Sequence, residues 1–169
     1  MNSILSAWNK ADEEAALDAM LACCGARRWA AAMVALRPIP NIIDLSAAAD
    51  RVWSTMEEAD WMEAFAGHPR IGERKAAHAS KKSTTWSQQE QSLARSAAAG
   101  VLKDLAAGNL LYEQRFGFTY VVCATGKSAE EMLAILNRRL GSDRAAELRE
   151  AAKQQRQITQ IRLGKWLIE

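Results

Sequence analysis

Apolar residues recur at helical spacing along most of this chain. Leu45, Ala49, Val52 and Met56, for example, follow one another every three or four residues, which places their side chains on one face of an α-helix. The same spacing, bounded by capping residues, glycine and proline, predicts eight helices. They cover about residues 12–24 (with Asn9 or Asp12 as the cap), 28–37, 42–57, 60–66, 87–107, 109–116, 128–140 and 143–167.

Two stretches depart from this pattern. Phe118 to Cys123 is aromatic and β-branched and is predicted to be extended. It has no obvious partner strand, so its backbone groups must bond elsewhere, and a ligand is one candidate. Glu73 to Thr85 has no large apolar residue and is predicted to be a basic connector, either a mobile lid or a solvated loop. We expect an all-α fold, in which residues 1–169 form a single-domain irregular helical bundle of about eight helices with one short extended segment near 118–123.

Composition and charge exclude several classes of protein. The formal net charge is +2 at pH 7, a near balance that requires neither a nucleic acid nor a membrane as partner. The longest apolar run, Trp29 to Leu36, is far shorter than the ~20 residues of a membrane span. Three cysteines and two histidines suit neither a disulfide framework nor a metal site. We therefore expect a cytoplasmic protein that binds no metal, membrane or nucleic acid.

His68 is the first candidate for chemistry. Gly67 follows the helical run that ends at Ala66, at the place of a helix C-cap glycine. Pro69 prevents the helix from continuing and favours an extended backbone at His68, and a turn is predicted at Gly72. An imidazole, whose unperturbed pKa is about 6.5, suits proton transfer when it is stiffly mounted. The alternative, a histidine that only caps or packs a helix end, is the more common case.

Ser87 to Gln91 is the second candidate. Ser87-x-x-Glu90 at a predicted helix start matches a capping box, which is purely structural. The functional alternative is that the exposed amides of this helix N-terminus bind a carboxylate or imide oxygen of a substrate. Ser87 and Gln91 would then add donors on one face, and Glu90 would lie beside His68, orient it and raise its pKa.

Arg162 is the third candidate. It lies four residues after Ile158 and four before Trp166, on the stripe of the last predicted helix that should be buried. A buried arginine either pairs with an acid and extends its head toward water, or uses its planar guanidinium to hold a carboxylate or ureido group. The sequence alone leaves both alternatives open.

Four short motifs, in order along the chain, resemble one family. They are His68-Pro69-Arg70-Ile71-Gly72, Ser87-x-x-Glu90-Gln91, Asn109-x-x-Tyr112-Glu113-x-Arg115-Phe116-Gly117-Phe118 and Ile161-Arg162-Leu163. From about Cys24 onward, the chain is similar to the 2-oxo-4-hydroxy-4-carboxy-5-ureidoimidazoline (OHCU) decarboxylases, which form (S)-allantoin and CO2 during urate degradation. The resemblance implies an all-α, cofactor-free and usually homodimeric enzyme whose substrate is a small anionic ureidoimidazoline.

The resemblance also implies roles for individual residues. It matches His68 to the family's catalytic histidine and Glu90 to a glutamate of the family. Our hypothesis is that both are catalytic: His68 transfers the proton, and Glu90 sets the protonation and orientation of the imidazole. Thr119 departs from the family, which often has proline there. The residues expected to bind substrate are Pro69, Ser87, Gln91, Tyr120, Val121, Val122, Cys123, Ala124 and Arg162. Two other classes remain as alternatives: a catalytically silent ureide-binding module, and a cofactor-free hydrolase or isomerase of a related ureide.

Overall fold

The structure, a computed structural model, describes residues 2–72, 80–96 and 98–169. All regular elements in this part of the chain are helical, so the all-α prediction is confirmed. The α-helices are α1 (Ser3–Lys10), α2 (Glu13–Cys23), α3 (Arg27–Ala35), α4 (Ile42–Trp53), α5 (Glu58–Ala66), α6 (Lys81–Glu90), α7 (Ala99–Phe116), α8 (Ala129–Arg139) and α9 (Arg144–Trp166), and a short 3₁₀ helix spans Ser92–Ser96. Within the described ranges, none of these helices has both the length and the apolar character needed to cross a bilayer.

Two helix starts that carry a side-chain cap lie where the sequence predicts them. Asp12 accepts the Ala15 amide at the start of α2, at 2.7 Å, and Ser128 accepts the Glu131 amide at the start of α8, at 3.2 Å. The sequence prediction missed α1, which Asn2 caps. It also began the helix that ends at Ala66 at residue 60, whereas α5 begins at Glu58 and the Asp60 carboxylate accepts the Glu57 amide.

The prediction of a helix from Ser87 to Ala107 is wrong. α6 begins at Lys81 and ends at Glu90, because Ser80 supplies the cap by accepting the Ser83 amide at 3.1 Å. Residues 81–85 are therefore helical and do not form a connector, while 73–79, which include His78, lie outside the described residues. The buried Trp86 gives this otherwise polar helix its packing contact.

The sequence predicted that a helix ends at Gly108. This prediction is wrong, because Gly108 lies inside α7. A Cβ atom added to Gly108 would lie 2.5 Å from Cδ2 of Leu136 on α8, far inside van der Waals contact. The Leu136 side chain packs directly against this position, and any side chain added at Gly108 would force Leu136 to move. The glycine marks a helix contact, and α7 continues unbroken from Ala99 to Phe116.

This contact predicts the effect of replacing Gly108 by alanine. Overpacking a core costs about 1–3 kcal/mol, whereas alanine gains up to about 1 kcal/mol over glycine inside a helix. Gly164→Ala in α9 is the control, since an added Cβ there meets no atom within 4 Å. In urea unfolding, we expect Gly108→Ala to be less stable than Gly164→Ala by about 1–3 kcal/mol. Equal stability of the two variants would contradict the close contact.

The chain divides into two compact units. The first comprises Met1–Ala64 and Arg156–Glu169, and the second comprises Phe65–Gln155. In the first unit, Trp8 packs edge-on against Trp166, with ring centroids 6.0 Å apart. The second unit contains a cluster of contacting aromatic rings, formed by Phe65, Tyr112, Phe116, Phe118 and Tyr120. All the predicted site residues except Arg162 belong to the second unit.

Candidate functional site

The backbone of the segment from His68 to Gly72 leaves α5 and turns sharply. α5 ends at Ala66 as predicted, although Gly67 does not adopt the left-handed conformation of a C-cap glycine. Pro69 is buried, and Gly72 forms the predicted turn with φ of +93°. The Gly72 amide donates to Oε1 of Gln91 at 2.9 Å, which ties the end of the segment to the end of α6.

Helix α7 holds the middle of this segment through two side chains on one of its faces. Glu113 forms a bidentate ion pair with Arg70, at 2.7 and 2.9 Å. One turn earlier, the buried Asn109 amide donates to the Ile71 carbonyl at 3.4 Å. Because the segment is tied to both α6 and α7, its backbone position is set by tertiary contacts, and the proline only stiffens it.

The imidazole of His68 is half-buried and meets a third helix of the unit. Its Nε2 lies 2.5 Å from Oε1 of Gln155, a fully buried residue of α9. The histidine is thus held from its backbone by α6 and α7 and at its ring by α9. Such mounting limits the positions that a proton carried by this ring can reach.

Ser87, Glu90 and Gln91 lie at the C-terminal end of α6, so the predicted helix N-terminus with free amides is wrong at this place. The Gln91 amide donates to the Ser87 carbonyl at 3.1 Å, and this end of a helix carries partial negative charge. Ser87 is buried and Glu90 is half-buried. Any substrate contact here therefore comes from side chains and receives no help from the helix dipole.

The segment Phe118–Cys123, which the sequence predicts to be extended and which we call the extended segment, has no strand partner among the described residues, as predicted. Side chains take the place of a second strand. The Cys123 amide donates to Oε1 of Gln154 at 2.8 Å, and its carbonyl accepts from Nζ of Lys127 at 2.7 Å. Residues 120–124 are buried throughout, so these bonds form in a setting where an unpaired backbone group would be costly.

A buried cluster of charged and aromatic groups holds the middle of the extended segment. Nη1 of Arg139 donates to the Val121 carbonyl at 2.7 Å, while Nε of Arg139 lies 2.5 Å from Oε1 of Glu147. Burial is the largest single influence and lowers the pKa of Arg139, but the hydrogen bond to Glu147 and the electrostatic interactions with Tyr112, Glu147 and Tyr120 together raise it. The Tyr112 hydroxyl donates to Glu147, and burial raises the tyrosine pKa, so this donor stays protonated.

Arg162 belongs to the first unit and is buried, 2% exposed, as its place on the stripe predicted. Within that unit it acts on the thiol of Cys24. Burial raises the pKa of Cys24 to about 11, while hydrogen bonds from the Ala26 backbone and Thr159 and the charge of Arg162 act in the opposite direction.

A cavity of about 200 Å³ in the same unit is lined by none of the predicted site residues. Its lining is Leu36, Pro38, Ile39, Pro40, Asp44, Ala47, Ala48 and Arg51.

Four side chains that bond to His68 or to the extended segment were not predicted from the sequence: Lys127, Arg139, Gln154 and Gln155. Gln155 follows the buried Ala151 by four residues and precedes Arg162 by seven, so the spacing that singled out Arg162 also marks Gln155. Arg139 likewise follows Leu136 by three residues on the buried face of α8.

Among the described residues, no cluster of histidine, cysteine, aspartate or glutamate could hold a metal ion.

Comparisons with known proteins identify the family to which the chain belongs. A sequence model of the OHCU decarboxylase family matches residues 9–164. The chain is 34% identical over 144 residues to the uric acid degradation bifunctional protein of Arabidopsis thaliana, a match that covers 85% of this chain but 44% of that protein. It is 30% identical over 134 residues to the 2-oxo-4-hydroxy-4-carboxy-5-ureidoimidazoline decarboxylase of Amia calva, covering 79% of this chain and 77% of that one.

A solved structure gives the same result for the fold. It is the crystal structure of an OHCU decarboxylase in the presence of (S)-allantoin, which superposes with a TM-score of 0.78 at 31% identity and covers 90% of this chain and 99% of that one. The family match spans nearly the whole sequence, and both sequence and fold lead to the same group of proteins. The chain therefore belongs to the OHCU decarboxylase family.

Proposed function

We propose that this protein decarboxylates OHCU to (S)-allantoin and CO2 in the degradation of urate. The observation that carries the proposal is the family match over residues 9–164. The His68 segment supports it, because a histidine tied to three helices suits a reaction that needs one well-directed proton transfer. The substrate is a small anion, so recognition requires donors and positive charge.

The chemistry of the substrate explains why no cofactor is part of the proposal. When the bond between the ring carbon and its carboxylate breaks, the electron pair stays on the ring and is absorbed by an adjacent carbonyl or imine. The substrate thus supplies the electron sink that pyridoxal or thiamine supplies in other decarboxylases. The protein is left with orientation, stabilisation of charge and delivery of one proton to a single face.

The proposed roles follow from chemical type and position. His68 transfers the proton, and Glu90 sets the protonation and orientation of the imidazole. Gln91 is attached to the His68 segment through the Gly72 amide, which supports a place for the end of α6 at the site. The groups proposed to hold the substrate are Pro69, Ser87, Gln91, the backbone of Tyr120, Val121, Val122, Cys123 and Ala124, and the guanidinium of Arg162.

Three further expectations belong to the same proposal. Residues 1–169 act as one decarboxylase domain, which is supported by a family match that includes parts of both units. The protein forms a homodimer, as the family resemblance implies, and it works in the cytoplasm, as expected from the sequence. Size-exclusion chromatography with light scattering tests the dimer, and a monomeric mass for the active protein would overturn it.

The handedness of the product tests the function directly. Freshly made intermediates of urate oxidation are mixed with the protein, and circular dichroism follows the allantoin formed. We expect rapid release of CO2 and a single hand of product, since an enzyme adds the proton to one face whereas water adds it to both. A binding module would leave the uncatalysed, racemic course unchanged, and a hydrolase or isomerase would give a product that retains the carboxylate.

Replacing Arg162 by lysine tests whether its guanidinium holds the substrate. An ammonium cannot reproduce the two parallel bonds of the planar fork, and charge-assisted bonds are worth about 1.5–3 kcal/mol. We expect KM to rise on the order of 10-fold or more, with a smaller change in kcat. Arg156→Lys, on the same helix but in a half-exposed pair with Asp50, is the matched control. If KM is unchanged in Arg162→Lys, the arginine is structural.

A further inference from the structure

We propose that Gln155 is a positioning residue that fixes which nitrogen of His68 carries the proton. Nε2 of His68 lies 2.5 Å from Oε1 of Gln155. An amide oxygen only accepts hydrogen bonds, so this contact requires a proton on Nε2. The lone pair of the neutral ring is then on Nδ1, which becomes the atom that takes up and returns the catalytic proton. The catalytic consequence rests on the proposed function, whereas the tautomer itself does not.

The burial of Gln155 makes this contact effective. Gln155 is fully buried on α9, between Ala151 and Ile158, which are also buried. A hydrogen bond in such a low-dielectric setting is stronger than one in water, and leaving the ring N–H unpaired there would be costly. The neighbouring Gln154 binds the Cys123 amide at 2.8 Å. Two consecutive residues of α9 therefore hold the His68 ring and the extended segment.

The neutral amide also determines how readily the ring gains charge. A carboxylate in the same place would stabilise the imidazolium and raise its pKa, as an acid beside a histidine does. An amide oxygen favours the Nε2–H tautomer without adding a negative charge. Nε2–H then stays bonded to Gln155 in both the neutral ring and the imidazolium, so that Nδ1 carries the proton that is exchanged with the substrate.

Two variants of Gln155 separate these effects. Gln155→Glu keeps the size and the acceptor but adds charge, and Gln155→Leu removes the acceptor. Gln157→Glu and Gln157→Leu are matched controls, since Gln157 is exposed on the same helix. The readouts are the ¹⁵N chemical shifts of the His68 ring during a pH titration, which need no substrate, and the pH profile of kcat/KM.

We expect the wild-type protein to show the Nε2–H tautomer. Gln155→Glu should move the His68 titration, and the acidic limb of kcat/KM, to higher pH by at least about one pH unit. Gln155→Leu should lower kcat about 10-fold or more with little change in KM, because the ring loses its fixed tautomer. The Gln157 variants should match the wild type in all three measurements.

An Nδ1–H tautomer in the wild-type protein would overturn the inference, and so would an unchanged His68 titration in Gln155→Glu. Both results come from the folded protein without turnover, so they remain decisive if Gln155→Leu fails to fold. They also separate this inference from the proposed function. A protein with the Nε2–H tautomer and the shifted titration but no decarboxylase activity would contradict the function and leave the role of Gln155 in the tautomer intact.

Discussion

Replacing His68 by asparagine is expected to lower kcat about 10²- to 10⁴-fold, the usual contribution of a positioned acid or base. Asparagine keeps a polar side chain that can bond to Gln155, but it cannot take up a proton between pH 5 and 9. Binding of (S)-allantoin, measured by calorimetry, should change little, because His68 is proposed to act on the proton and the other groups to hold the substrate. The loss should therefore appear in kcat rather than in KM.

The second histidine of the chain provides the control for this experiment. His78→Asn makes the same chemical change at a residue to which no role is assigned, and it should leave kcat and KM near the wild-type values. Near-complete activity in His68→Asn would show that another group carries the proton. Loss of (S)-allantoin binding in His68→Asn would instead assign the imidazole to substrate recognition.

Replacing Glu147 by leucine is expected to destabilise the protein by about 3–5 kcal/mol, because it leaves the charge of Arg139 buried without its partner. Arg139 and Glu147 are 4% and 1% exposed, so water can hardly replace the lost carboxylate. Tyr112 loses the same acceptor, which adds to the cost. Urea unfolding followed by far-UV circular dichroism measures the loss.

A double variant separates the cost of an unpaired charge from the value of the pair itself. Arg139→Met combined with Glu147→Leu removes both charges, and we expect it to regain most of the stability lost in Glu147→Leu. Asp50→Asn, in a pair that is much more exposed, should cost no more than about 1 kcal/mol. Equal losses in the single and double variants would show that the unpaired charge of Arg139 is not the source of the loss in Glu147→Leu.

The double variant also predicts a change at the site. Without Arg139, the Val121 carbonyl loses its donor at 2.7 Å, and the extended segment is free to shift. If the backbone of residues 120–124 contacts the substrate as proposed, KM should rise even though the protein folds. A normal KM in the folded double variant would remove Arg139 from the set of positioning residues.

Local sequence signals predicted several helices correctly, among them two that begin at a capping residue and one that has a clear apolar stripe. Asp12 and Ser128 start α2 and α8, and the stripe on α9 correctly predicted that Arg162 is buried. The same reasoning failed at Ser87, because Ser-x-x-Glu has a capping spacing wherever it occurs along a helix. Ser80 and the burial of Trp86 determine where α6 begins, and the second of these depends on tertiary packing.

Partners across the fold could not be predicted for a different reason. His68 and Gln155 are 87 positions apart in the sequence, and helical periodicity shows which face a residue is on but not what that face meets. The family motifs identified His68, Glu90 and Gln91 as candidates, but they do not predict the contacts or distances of these side chains. The residues proposed to position them, such as Gln155 and Arg139, can be identified only from the tertiary arrangement of the helices.

The way the extended segment is bonded also affects how this protein meets other molecules. An isolated stretch rich in aromatic and β-branched residues is a common template for strands recruited from other chains, and such recruitment leads to aggregation. Here a guanidinium, an amide and an ammonium already occupy the Val121 carbonyl and both backbone groups of Cys123. A strand from another chain would have to displace the buried Arg139–Glu147 pair before it could form β-sheet hydrogen bonds with this segment. The protein therefore contains an aggregation-prone segment, but side chains of the same chain already hydrogen-bond the backbone groups that an added strand would need.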